Sequence, residues 1–282
     1  MAGVREQLTM RIAFQGEPGA YSEMAIYEHL GEGHPVVPCE TFDAVFSCVA
    51  DEECDYGFIP VENSVAGSIH RNYDLLLQNP LVVIGEHYLR ISHCLIGIPG
   101  TSLTEIRRVI SHPQALAQCE SYLRSMGDEV HSEAVYDTAG SVKILRELGD
   151  RTVGAIASRQ AADIYGMAVI AENIEDYPDN FTRFQIIARQ PVQPGDDAKT
   201  SIVFSLNNRP GELYRAMSVF ALRDIDLTKI ESRPLRDKPW EYSFYIDFVG
   251  AVGEEKVTRA LANLEEFTTF LRVLGSYPRH RV

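Results

Sequence analysis

Residues 41–64, TFDAVFSCVADEECDYGFIPVENS, hold the alternation that decides the fold. Thr41 precedes a run in which Phe42, Val45, Phe46 and Val49 recur at spacings of three and four, which predicts a capped helix with one apolar face. The acidic stretch Asp51–Asp55 breaks that period. Tyr56–Val61 (YGFIPV) then reads as a short buried strand that ends at Glu62, Asn63 and Ser64.

The same alternation extends in both directions. Upstream, residues 11–15 (RIAFQ) form a strand that enters the turn 16–22 (GEPGAYS), where Ser22 is expected to cap a helix with Met24, Tyr27 and Leu30 on one face. Gly16 and Gly19 are read as letting backbone approach a small ligand. Downstream come a helix through Ile69, Tyr73 and Leu76 and a strand at 81–84. A second group begins near Tyr88, with strands at 95–98, 109–110, 130–135, 152–157 and 168–171. Its helices carry Leu116, Cys119, Leu123 and Met126 up to a stop at Gly127, then Val142 and Leu145 behind Asp137-Thr138, and a short one after Ser158. Alternating strands and helices predict mainly parallel sheets in an α/β arrangement, and two groups predict two lobes with a ligand cleft between them. Residues 190–198 (QPVQPGDDA) read as a linker. Beyond it, strand 200–206, helix 211–222, strands 226–233 and 240–249, helix 254–265 and strand 269–276 give βαββαβ, the ferredoxin-like order.

Composition narrows the function. The 282 residues are 45% hydrophobic and 23% charged, which is ordinary for a globular chain. A net charge of −14 repels phosphate backbones and argues against nucleic acid, while leaving room for a small anion held by a few Arg side chains and helix N-termini. No apolar run is long enough to span a bilayer, and Met1–Met10 lacks the apolar region of a secretory signal, so the expectation is a cytoplasmic protein with no membrane partner. Cys39, Cys48, Cys54, Cys94 and Cys119 contain no C-x-x-C and read as buried thiols. GEPGAYS lacks the lysine and spacing of a phosphate-binding loop, and no metal pattern occurs, so no cofactor or metal is expected.

Several strings place polar residues where ligands bind. Glu62-Asn63-Ser64 lies at the carboxyl end of a strand, although Asn and Ser also serve as turn and cap residues. Ser111-His112-Pro113-Gln114 and Asp137-Thr138 stand at strand-to-helix turns, where free N–H groups favour a carboxylate or simply receive a cap. His112 has no partner evident from sequence and reads equally as structural. Asn180-Phe181-Thr182-Arg183-Phe184 enters the strand 184–188, and its Thr and Arg offer a hydroxyl and a cation to an anion; a structural loop accounts for them as well. No G-x-S-x-G elbow is present, which rejects a serine triad. In the C-terminal unit, Asn208-Arg209-Pro210-Gly211-Glu212-Leu213 opens a helix and Glu231-Ser232-Arg233-Pro234 closes a strand, features that would suit a small amino acid.

Taken together, GEPGAYS, IPVENS, SHPQALAQC, DTAGS and NFTRF resemble, in order and spacing, the catalytic domain of the prephenate dehydratases. NRPGELY and TKIESRP resemble the two ligand motifs of that family's ACT regulatory domain. The resemblance covers residues 11 to 280. It implies a two-lobed, periplasmic-binding-protein-like catalytic domain at 11–189 (second lobe about 88–171), the linker 190–198 and a ferredoxin-like ACT domain at 199–280. No chorismate mutase segment precedes these motifs, so a monofunctional enzyme is implied.

The implied reaction removes CO₂ and water from prephenate to give phenylpyruvate in phenylalanine synthesis. By similarity Thr182 assists the departing hydroxyl and Arg183 binds a carboxylate or orients the loop, with Asn63 and Ser64 beside them in the catalytic set. Ser111, Gln118 and Thr138 are implied to contact substrate, Phe181 and Phe184 to exclude water, and Glu62 to position the signature. Gly211, Glu212, Leu213, Asp226, Glu231 and Ser232 are implied to hold phenylalanine at a subunit interface of a homodimer or homotetramer. Glu212 and Asp226 depart from the family's usual Ala and Asn, which would weaken effector binding if either carboxylate met the effector's own. Removing residues 199–282 is expected to spare activity and abolish the phenylalanine response. Two rival readings stay open: an arogenate dehydratase, whose substrate carries an amino group in place of the keto group, and a non-catalytic amino-acid-sensing protein.

Overall fold

The computed structural model describes residues 9–234 and 241–281. The reading of Met1–Met10 lies largely outside these residues, as does the first position of the strand expected at 240–249. The chain divides into two compact units, one comprising residues up to 78 and 87–185, the other 79–86 and 186 onward.

The first unit opens with β1 (Ile12–Gln15), whose Ile12, Ala13 and Phe14 are fully buried, and α1 (Tyr21–Leu30). Ala20 is the N-cap of α1, and Ser22 sits inside the helix. The buried residues of α1 are Ser22, Glu23, Ala25 and Ile26, whereas Met24, Tyr27 and Leu30, expected to form its inner face, are half-buried. Glu23 tolerates burial because its carboxylate accepts from Gly19 N–H and the Tyr27 hydroxyl. Gly19 has φ +89°, and a Cβ there would lie 2.7 Å from Ala161 Cα, so this glycine serves close packing rather than the ligand approach expected of it.

Next come β2 (Val36–Cys39), α2 (Phe42–Ala50), β3 (Tyr56–Asn63), β4 (Gly67–Ser68) and α3 (His70–Gln78). Thr41 caps α2 as expected, its Oγ1 accepting from Ala44 N–H at 3.2 Å. Then follow β5 (Val82–Arg90), β6 (Cys94–Gly97), β7 (Arg108–Ser111), α4 (Pro113–Gln118) and α5 (Glu120–Ser125). The single helix expected through Leu116–Met126 is two, broken at Cys119, where φ −118° and ψ 23° leave helical geometry. The unit continues through β8 (His131–Ala134), α6 (Thr138–Leu148), β9 (Val153–Ala157), α7 (Arg159–Tyr165), β10 (Ala168–Glu172) and β11 (Phe181–Ala188).

These strands make two open sheets, ordered β2-β1-β3-β11-β5, with β4 on β3, and β10-β6-β9-β7-β8. β1 pairs in parallel with β2 and β3, as β7 does with β8 and β9, but β6 runs antiparallel to β9 and β10. The sheets are therefore mixed rather than mainly parallel. A strand buried on both faces reads as the same apolar run in either direction, so local pattern carried no sign of the reversal.

The second unit contains β12 (Ala198–Leu206), α8 (Glu212–Ala221), β13 (Leu227–Pro234), β14 (Tyr242–Val249), α9 (Glu255–Glu265) and β15 (Thr268–Pro278). The sheet order β13-β14-β12-β15 is antiparallel throughout, and Phe204, Phe220, Ile246, Phe248, Val257 and Leu264 share the core between sheet and helices. Residues 79–86 belong to this unit. Glu86 forms a 2.6 Å ion pair with Lys199, and a Cβ on Gly275 would lie 1.9 Å from the Val83 carbonyl oxygen.

Candidate active site

A cavity of about 580 Å³ opens in the first unit, within the range of small-molecule sites. Residues at the starts of four helices line it: Tyr21 and Ser22 of α1, Thr41 and Phe42 at α2, His112 and Gln114 at α4, Asp137 and Thr138 at α6. Each start presents backbone N–H groups without intrahelical partners and the positive end of a helix dipole, so the convergence favours an anion. Asp137 caps α6 through a 2.7 Å bond from Gly140 N–H, and burial pushes its carboxyl upward from the usual range. Arg71, on the first turn of α3, adds a guanidinium held by the Asp43 carboxylate. Pro60, Ile69, Ile91 and Phe184 supply the apolar wall.

Asn63, at the end of β3 and 5% exposed, organises the floor. Its Oδ1 accepts from the N–H groups of Val65 (3.0 Å) and Ala66 (2.8 Å). These backbone donors fix the amide orientation, so Nδ2 donates toward Asn180 Oδ1 (2.7 Å), Thr182 Oγ1 (3.0 Å) and the Phe181 carbonyl (3.2 Å). Thr182 Oγ1 is thus an acceptor toward Asn63, which leaves its O–H free to donate into the cavity.

Of the residues singled out from sequence, Asn63, Gln118, Thr138, Thr182 and Phe184 line this cavity together. The others stand off it. Alternation along β11 puts Thr182 and Phe184 on the cavity side, while Arg183 lies buried with its guanidinium 5.9 Å from the centre of the Tyr88 ring. Ser111 is fully buried and donates to the Ile156 carbonyl at 2.6 Å. Ser64 donates to the Asp179 carbonyl and accepts from Phe181 N–H, both at 2.9 Å, which ties β3 to the entry of β11. Glu62 pairs across to Ser68 on β4. Tyr21, Arg71 and His93 line the cavity without having been singled out as ligand contacts, and His112 and Asp137, both weighed from sequence as turn residues, join them. Arg71 and His93 lie in no recognisable string, and only the tertiary fold brings them to Asn63.

In the second unit Gly211 caps α8 in the left-handed conformation (φ +84°), which explains its glycine. Glu212 is mostly buried, with the Arg215 guanidinium 3.7 Å away, whereas Leu213 is exposed. Asp226 is exposed just before β13, and its carbonyl accepts from Val249 N–H. Along β13, Glu231 is half-buried and Ser232 exposed.

Comparison with known proteins fits this architecture. The family model described as prephenate dehydratase matches residues 12–192, and that described as ACT domain matches 200–266. The chain is 49% identical over 280 residues to arogenate dehydratase/prephenate dehydratase 2, chloroplastic, of Arabidopsis thaliana, covering 95% of this chain and 73% of the relative. Among solved structures, a prephenate dehydratase from Arthrobacter aurescens in complex with L-Phe superposes with a TM-score of 0.87 at 31% identity, covering 95% of this chain and 90% of that one. GqqA, described as a novel type of quorum quenching acylase, superposes with the same TM-score at 35% identity, covering 96% and 98%. The cytoplasmic location expected from sequence is overturned by the relatives, several of which are named as chloroplastic. Composition and surface charge reflect solubility, which is common to both compartments. The catalytic match spans most of the chain and the ACT match follows it, so the chain belongs to the prephenate dehydratase family of carbon–oxygen lyases and carries an ACT domain.

Proposed function

We propose that this chain catalyses the decarboxylating dehydration of prephenate to phenylpyruvate at the cavity built around Asn63 and Thr182. One observation carries the reading: Asn63 holds Thr182 Oγ1 from behind at 3.0 Å, in a cavity lined by four helix starts. In the reaction the C–CO₂⁻ bond breaks, its electrons enter the ring, and the 4-hydroxyl departs with its bonding pair as the ring becomes aromatic. The helix starts and Arg71 hold the dianion. Thr182 O–H donates to the departing oxygen, a bond that strengthens as negative charge develops there. Phe184 and Ile91 keep water from the ring, and Asn63 and Gln118 position Thr182. Ser64 acts by holding the β3–β11 junction, and Glu62 by its place in the β3–β4 pairing. Arg183 and Ser111 support the same walls from behind, and Phe181 contributes its carbonyl to Asn63.

A second reading, arogenate as substrate, is favoured by Glu40, Asp43 and Asp137 on the cavity wall, which offer carboxylates to an ammonium group. Acyl transfer is less well served, because the partner of Thr182 Oγ1 is the Asn63 amide, which cannot accept its proton as a base does.

The catalytic domain is assigned to residues 11–189 and the regulatory domain to 199–280, with L-phenylalanine as effector at Gly211–Leu213, Glu231 and Ser232 in a homodimer or homotetramer. The Glu212 carboxylate faces Arg215 at 3.7 Å, which supports its compatibility with a bound carboxylate. The test is turnover of prephenate and arogenate side by side, with and without phenylalanine. Formation of phenylpyruvate, suppressed by phenylalanine, is expected. Turnover of neither substrate by a folded protein that binds phenylalanine would replace the enzyme with an amino-acid sensor.

A further inference from the structure

Beside Asn63 and Thr182 runs a line of polar side chains, His93, Gln118 and Tyr21, joined by hydrogen bonds. His93, 2% exposed at the start of β6, places Nε2 2.9 Å from Gln118 Oε1. Gln118 Nε2 donates to Asn63 Oδ1 at 3.4 Å. On the other side of the ring, the Tyr21 hydroxyl lies 2.8 Å from His93 Nδ1 and 2.7 Å from the Ser92 carbonyl. The Tyr21 and His93 rings meet edge to face, centroids 5.4 Å apart at 82°.

The backbone fixes the direction of the bonds from Asn63 through Gln118 to His93 Nε2. Val65 and Ala66 N–H groups make Asn63 Oδ1 an acceptor, so the Gln118 group that faces it must be the NH₂. Gln118 then turns its carbonyl oxygen to His93, and His93 must carry a proton on Nε2. Burial holds the imidazole neutral by lowering its pKa, so with the proton on Nε2 the Nδ1 is bare and faces the Tyr21 hydroxyl, whose single proton is donated to the Ser92 carbonyl. Glu175 Oε2 accepts from the His93 backbone N–H at 2.8 Å and anchors the residue from outside the line.

We propose that His93 is a positioning residue whose Nε2–H holds the Gln118 carbonyl oxygen, so that the Gln118 NH₂ steadies Asn63 and, through it, the Thr182 hydroxyl beside the substrate. This inference rests on the dehydratase reading and deepens it. Donors aligned head to tail polarise one another, so each bond in the line strengthens the next. The opposite tautomer would set Nε2 and Gln118 Oε1 lone pair to lone pair and release the amide.

The tautomer can be observed without turnover. In protein labelled with ¹⁵N-histidine, the ring of His93 should show a protonated Nε2 and a bare Nδ1; a proton on Nδ1 would overturn the proposal. In kinetics, His93→Phe should lower kcat about tenfold or more with KM within about threefold, as the loss of one aligned hydrogen bond implies. His93→Gln, which can place an N–H near the position of Nε2, should recover most of that loss, and Tyr21→Phe should show a smaller fall in kcat. A parent-like kcat in His93→Phe, or a loss confined to KM, would also overturn it. Should the unsubstituted protein turn over neither prephenate nor arogenate, the dehydratase reading falls, and the tautomer alone then decides whether the directed line exists.

Discussion

Replacing Thr182 with valine separates catalysis from folding. Valine keeps the branched shape of the side chain at a position only 9% exposed, so packing is preserved and the hydroxyl alone is lost. The stability cost follows from counting hydrogens. Asn63 Nδ2 carries two N–H groups and has three acceptors within reach, at 2.7, 3.0 and 3.2 Å. Losing Thr182 Oγ1 leaves Asn180 Oδ1 and the Phe181 carbonyl, so neither hydrogen is orphaned and the penalty should stay near or below about 1 kcal/mol. In the transition state, a donor aimed at developing negative charge contributes about 2.7–4 kcal/mol, a factor of about 10²–10³ in kcat. Thr182→Val should therefore unfold within a few degrees of the parent, bind substrate with a similar dissociation constant, and turn over about 10²–10³ times more slowly. Single-turnover kinetics, thermal melting and equilibrium substrate binding measure the three quantities. A folded valine variant within tenfold of the parent kcat would refute the role of the hydroxyl; a large loss of stability would refute the hydrogen count.

Three further outcomes follow from the geometry. Lys199→Met leaves the fully buried Glu86 carboxylate without its 2.6 Å partner, and should destabilise the fold by about 3–5 kcal/mol in denaturant titration, with Glu86→Gln added to Lys199→Met recovering part of it. Thr41→Ala removes the cap of α2 beside the cavity; about 1 kcal/mol of stability should be lost and KM should rise, because the helix start it orders faces the anion. His93 is expected to make stability depend on pH. Its folded pKa lies below the ordinary 6.5, so the unfolded chain binds the proton more readily, and the contribution present above pH 6.5 is lost as pH falls toward the folded value. Denaturant titrations between pH 5 and 7.5 should show this slope reduced in His93→Gln, and an unchanged slope would place the proton uptake elsewhere.

The elements were largely legible in sequence, because buried strands and amphipathic helices carry their own periods. The order βαββαβ and the Thr41 and Asp137 caps needed only local chemistry. What failed was non-local. Strand direction leaves no trace in an apolar run, which is why β6 was misjudged. Helix α1 is the local exception: Gly19 N–H and the Tyr27 hydroxyl, each four residues from Glu23, satisfy its carboxylate and let it be buried against the apolar pattern of its neighbours. Within the site, Thr182 and Asn63 stood in strings that could be read, and alternation along β11 then separated Thr182 from Arg183. Arg71 and His93 reach the cavity by folding, from stretches with no signature of their own.

Residues 79–86 change how regulation must be tested. From sequence they looked like the closing strand of the first β/α group, and removal of residues 199–282 looked clean. In the structure they belong to the C-terminal unit, where Glu86 pairs with Lys199 and the Val83 carbonyl occupies space left free by Gly275. Truncation would strip a buried carboxylate of its cation and expose one end of β5, whose other end continues into the sheet that carries Asn63 and Thr182. Loss of activity on truncation would then report damage to β5 and say nothing about phenylalanine. Substitutions on the exposed side of the effector motifs avoid this. Leu213→Ala and Ser232→Ala remove side chains that are exposed in the isolated chain and should leave basal turnover intact. If phenylalanine binds there, they should raise the concentration needed for inhibition severalfold, as the loss of one or two ligand contacts implies. An unchanged inhibition curve in both variants would move the effector away from α8 and β13.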